Sequence, residues 1–228
     1  YIPVANPDSI TYPGSDYYEI ELVEFSHRFH TDLPATTKLR GYHQTNNGTD
    51  ALGQNTIAPD AQARWLGPVI VATRDRPVRI KFTNRLPIGA GGDLVLPVDE
   101  SILGSGKGPL WPNGALDPLG VPYAPGAVCD PTPVASIPPG NATPGQNCAK
   151  YTQNRSAIHL HGGRTPWISD GTPHQWIIPA GEWANTPYTE GVSLENVPDM
   201  PNPGPGSTTY YYSNQQSARL MFYHEHAW

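Results

Sequence analysis

An all-β fold follows from three properties of this sequence. Proline (27) and glycine (23) are too frequent for long helices and suit many turns. Where apolar residues recur with a period, they alternate with polar ones at the two-residue period of a strand. Twelve Tyr and six Trp among 228 residues mark an ordered core, since disordered chains are poor in aromatics. That length suits one large domain or two small ones.

The elements follow in chain order. YYEIELVEF (17–25) sets Tyr18, Ile20 and Leu22 against Glu19 and Glu21, the pattern of a half-buried strand. LPATTKLRGYHQTNNGTD carries turn signals. GPVIVATRDRPVRIKFTNRLP (67–87) predicts two strands, Val69-Ile70-Val71 and then Val78, Ile80 and Phe82 on one face, with a turn around Asp75-Arg76-Pro77. From about 96 to 150 the composition shifts to Pro, Gly and Asn. A structureless loop of that length is uncommon inside a compact domain, so it is expected to be a surface insertion. SAIHLHGG returns to strand character, 164–208 is loop-rich, and TTYYYS and ARLMFYHEHA are the last predicted strands.

Composition also excludes partners. A net charge of −6 with no basic cluster argues against nucleic acid and anionic membranes. No uninterrupted apolar run approaches the length that crosses a bilayer. Cys129 and Cys148 fall in the Pro-rich stretch, and sequons occur at Asn47, Asn141 and Asn154. Together they predict an oxidising, extracellular setting, a Cys129–Cys148 disulfide and glycosylation at the sequons.

The chemistry lies in two H-x-H segments, AIHLHGG (157–163) and MFYHEHAW (221–228). Residues i and i+2 of a strand share a face, with Cα atoms about 7 Å apart. His159 and His161 should therefore project in parallel, and so should His224 and His226. A single H-x-H is weak evidence, since most such pairs are exposed or hydrogen-bonded. Two pairs with apolar neighbours favour metal binding, and imidazole suits Cu, Zn and Fe. His27, His30 and His43 read as structural or exposed, while His174 could face the same site.

HLHGG, followed by SDG and then SNQQSARLMFYHEHA, resembles the first domain of the multicopper oxidases, among them the spore-coat laccases and bilirubin oxidases. YYEIELVEFSHRFHTDLPATTKLRGY and VRIKFTNRLP resemble the same group, while 96–150 is unmatched. The resemblance implies a cupredoxin-like Greek-key β-barrel or sandwich over 1–228, with long loop insertions. It implies that His159 binds a type 2 copper, that His161 and His224 share one type 3 copper, and that His226 binds the other. Asp170, in Ser169-Asp170-Gly171, matches an acidic residue that delivers protons during O2 reduction, although an Asp before Gly is also an ordinary turn residue. The second pair reads HEH where relatives often have HDH, and Glu225 should point away from the metal face.

The resemblance also implies what lies elsewhere. A type 1 copper needs His and Cys together, and neither Cys129 nor Cys148 has a neighbouring histidine. That site, and the other trinuclear ligands, would belong to a C-terminal portion held as a second chain, which would also supply the last strand or strands of the barrel. The assembled enzyme would oxidise phenols, aromatic amines or bilirubin-like pigments and reduce O2 to water. Two other readings stay open: a mononuclear zinc or iron enzyme using three of the four histidines, and a non-enzymatic copper-binding domain.

Overall fold

Among the residues described by the computed structural model (2–49, 52–56, 62–100, 102, 105–106, 151–184, 186 and 188–227), eight strands occur. In chain order they are β1 (Asp16–His27), β2 (Thr37–Gln44), β3 (Gly48–Thr49), β4 (Asn55–Thr56), β5 (Val78–Asn84), β6 (Ile158–Leu160), β7 (Ser207–Tyr212) and β8 (Tyr223–Glu225). The only helical pieces among these residues are short 3-10 turns, at Gly89–Gly92, Trp167–Ser169 and Glu182–Ala184. None of the described helices is long and apolar enough to cross a membrane. The fold is all-β, as the sequence predicts.

A mixed sheet of order β2-β1-β5-β7 forms one layer. β1 is parallel to β5, and the β1–β2 and β5–β7 pairs are antiparallel. Register lines up the apolar sets: Tyr18 pairs with Ile80 and Ile80 with Tyr210, while Ile20 pairs with Phe82. Each of these side chains is buried, as the alternation in 17–25 requires. The second layer is the β6–β8 ribbon, whose Ile158 enters the same core beside Ile177, with Leu160 and Tyr223 packed against it.

Between the layers lies a cavity of about 370 Å³, lined by Ile80, Tyr212, Ile158, Leu160, Tyr223 and residues 65–70, 72–74 and 216–222. Two departures from the predicted strands lie at or beside it. Val69 makes only one bridge, parallel to Val4, and Val71 is exposed rather than part of a strand. The last strand begins at Tyr223, because Ala218–Phe222 run along the cavity mouth, where Leu220 is 98% exposed.

The sequons differ in their exposure. Asn154 is 1% exposed, and its Nδ2 donates to the Pro87 carbonyl and to Glu182 Oε2, each at 2.9 Å. A glycan needs that nitrogen in solvent, so the sequon at Asn154 is closed by folding. Asn47 is exposed. Asn141, the Cys129–Cys148 pair and most of the 96–150 insertion lie outside the described residues.

Candidate metal centre

Strand alternation builds the site. In the antiparallel β6–β8 ribbon, Ile158 pairs with Glu225, His159 with His224 and Leu160 with Tyr223. Burial of Ile158, Leu160 and Tyr223 against the core turns the intervening His159–His224 pair to the opposite face. His161 and His226 lie one residue beyond the strand ends. His161 keeps the ribbon's course by donating from its backbone N to the Phe222 carbonyl, at 3.0 Å. His226 does the same toward the Ala157 carbonyl, at 2.9 Å.

The four imidazoles form one cluster. Nitrogens of His159, His161 and His224 lie within 4.8 Å of one another. His161 Nδ1 is 3.3 Å from His224 Nε2. His226 stacks on His159 with ring centroids 4.6 Å apart. Four imidazoles meeting at one open face form a donor set that fits copper, zinc or iron.

Backbone carbonyls set which nitrogen each ring presents. A carbonyl can only accept, so a ring nitrogen beside one carries the proton. His159 Nδ1 lies 2.5 Å from the Asp170 carbonyl and His226 Nδ1 lies 2.9 Å from that of Gly171. His224 Nδ1 lies 2.8 Å from the Glu225 carbonyl. All three rings are thereby held through Nδ1, which leaves Nε2 as the nitrogen each can offer a metal, the kind of second contact that orients metal-ligating histidines.

The SDG turn is consequently part of the site through its main chain. Ser169, fully buried, accepts from Tyr211 N at 2.9 Å, and so anchors the turn to β7. Gln175 closes it from the other side, accepting from Thr172 N and donating to the Trp167 carbonyl, both at 2.9 Å. Asp170 also brings its carboxylate near, with Oδ2 3.8 Å from His159 Nδ1. Behind β6, the Tyr210 hydroxyl oxygen accepts from Ile158 N at 3.1 Å, and burial pushes that phenol's pKa up, which keeps it neutral.

The remaining histidines stay apart from the cluster. His27 packs on Phe29 and Trp65, His30 pairs with Asp32, and His43 lies across the strands from Glu21. His174 is exposed, and none of its nitrogens joins the converging set. Glu225 does point away from the histidine face, as expected, and accepts hydrogen bonds from Ser156 and Ala157. Those contacts, and the two carbonyls of the SDG turn, escaped sequence reasoning. The Gly after Asp170 was the available signal for the turn.

No family model matches the chain. A laccase of Bacillus subtilis (strain 168) is 25% identical over 92% of the chain, and one of Bacillus stratosphericus is 27% identical over 94%. A multicopper oxidase of Oryza sativa subsp. japonica is 27% identical over 88%. Over most of its length the chain is similar to these multicopper oxidases. It spans about a quarter of the length of these relatives, 25%, 26% and 21% respectively. A crystal structure of a laccase from Pediococcus acidilactici aligns over the whole chain with a TM-score of 0.44 and 13% identity.

Proposed function

We propose that residues 1–228 are the first cupredoxin-type domain of a secreted multicopper oxidase and supply four histidines to a trinuclear copper centre. In this reading His159 holds the type 2 copper, His161 and His224 share one type 3 copper, and His226 holds the other. The remaining ligands and the type 1 site lie on a C-terminal portion of the same oxidase. The cross-strand meeting of the two H-x-H segments, His159 opposite His224, carries the proposal.

Copper, when bound, supplies the one-electron chemistry that couples oxidation of phenols, aromatic amines or bilirubin-like pigments to reduction of O2 to water. This chain's residues do the rest. The carbonyls of Asp170 and Gly171 hold two imidazoles in the tautomer that offers Nε2. The Asp170 carboxylate, beside His159, passes protons toward the oxygen side of the site.

The test is the metal content and visible spectrum of the whole native polypeptide. Several coppers per molecule with an intense blue thiolate-to-copper band support the proposal. The convergence of three histidines also favours a second reading, a site for a single zinc or iron ion. A colourless protein with one such ion and no O2 consumption would select it.

A further inference from the structure

We propose that Glu225 is a positioning residue, whose carboxylate locks the two histidine-bearing strands in register and so sets the distance between the imidazoles they carry. The inference rests on the copper reading above and extends it to a residue outside the ligand set.

The β6–β8 ladder contains only three residue pairs. So short a ribbon is weakly specified by its own backbone bonds, and a slip of one residue would turn its histidines to the core face. Glu225 opposes that slip. Its Oε1 accepts from Ala157 N at 2.8 Å, from Ala227 N at 2.9 Å and from His226 N at 3.0 Å. Its Oε2 accepts from the Ser156 hydroxyl. Two donors thus belong to the segment leading into β6 and two to the residues leaving β8. Ser156 and Ala157 are fully buried, so the carboxylate is tied to immobile main chain.

Accessible area remains on Glu225 as a whole, yet both carboxylate oxygens are occupied by these donors. The residue pairs with Ile158, on the face opposite the His159–His224 pair, and so cannot itself be a ligand. Its influence passes through the backbone of His226, whose N–H it shares with the Ala157 carbonyl. His226 is also the ring stacked on His159, at 4.6 Å between centroids. Freeing the clasp loosens this pair first.

Side-chain length matters more than charge. Gln keeps an oxygen for the three N–H donors and offers an N–H to Ser156, whose hydroxyl can accept instead. Asp is one methylene shorter and cannot reach both strands. The experiment compares Glu225→Ala, Glu225→Gln and Glu225→Asp in the whole polypeptide. It measures copper affinity by competition with a chelator, the electron paramagnetic resonance spectrum of the bound copper, and thermal unfolding of the metal-free protein.

The expected result is a loss of about 10- to 100-fold in copper affinity for the Ala and Asp variants, with an altered spectrum. The Gln variant should match the parent. If Ala lowers the unfolding temperature but leaves affinity and spectrum unchanged, Glu225 is merely structural and the inference is overturned. Should the Ala variant fail to fold, the Asp and Gln pair decides, and equal copper affinity in the two overturns it. A parent polypeptide that holds no copper would instead overturn the copper reading itself, independently of any Glu225 variant.

Discussion

Gly171 shows how much of the site depends on single backbone positions. Its φ of +67° is in the left-handed region, and a Cβ there would lie 1.8 Å from the Ile158 carbonyl oxygen. Gly171→Ala should cost roughly 1–3 kcal/mol from backbone conformation alone, with the clash added, measurable as a lower urea midpoint. Because the Gly171 carbonyl orients His226, metal affinity should fall with it. Asn154 carries a second prediction at this scale. Asn154→Ala removes two donors from a buried site and leaves Glu182, 1% exposed, short of a partner. The loss should be about 1–3 kcal/mol or more, read from denaturant unfolding. Peptide mass mapping of the native protein should find residue 154 without glycan. The four histidines were legible in the sequence because H-x-H in a strand is a side-chain pattern. The carbonyls that orient them were not, since a carbonyl's direction depends on a turn that a letter does not reveal.

The strands themselves were legible in proportion to how much of the core they meet. YYEIELVEF and VRIKFTN alternate cleanly because each lies within the four-stranded sheet, with one face on the main cluster. Val69-Ile70-Val71 is as apolar, but Val69 and Ile70 border the cavity and Val71 is exposed, and hydrophobicity alone could not distinguish the two situations. Between elements, Arg79 on β5 makes a two-pronged contact to Asp199, both bonds at 2.7 Å, while its guanidinium lies 5.0 Å from the Tyr12 and Tyr211 ring centres. The Arg79 hydrogen bonds hold the Asp199 carboxyl below its ordinary pKa. A lowered carboxylate pKa stabilises the fold above the unfolded-state value of about 4, and the contribution disappears as pH falls through the lower folded-state value. Asp199 is 65% exposed, so the effect is under about 1 kcal/mol. Asp199→Asn should lower the urea midpoint slightly at pH 7 and converge with the parent as pH falls through the folded-state value.

At the scale of the molecule, the four clustered histidines lie on the two-stranded layer or one residue beyond its strand ends, turned away from the apolar core. Ions held there would therefore act on the layer that its own ladder specifies least, with three residue pairs against eight in the β1–β2 ladder. Binding to the folded state alone stabilises by RT ln(1 + [L]/Kd), about 2.7 kcal/mol at a free ligand concentration of 100 Kd. Chelating copper from the whole polypeptide should therefore lower its unfolding temperature. Hydrogen exchange should rise first in residues 156–161 and 222–227 and least in β1 and β5, whose inward side chains are buried. The double variant His159→Ala, His224→Ala should show the chelated parent's exchange pattern with or without copper. If chelation instead loosened the four-stranded sheet and left the ribbon unchanged, the ions would be held elsewhere, and the two H-x-H segments would not be the centre.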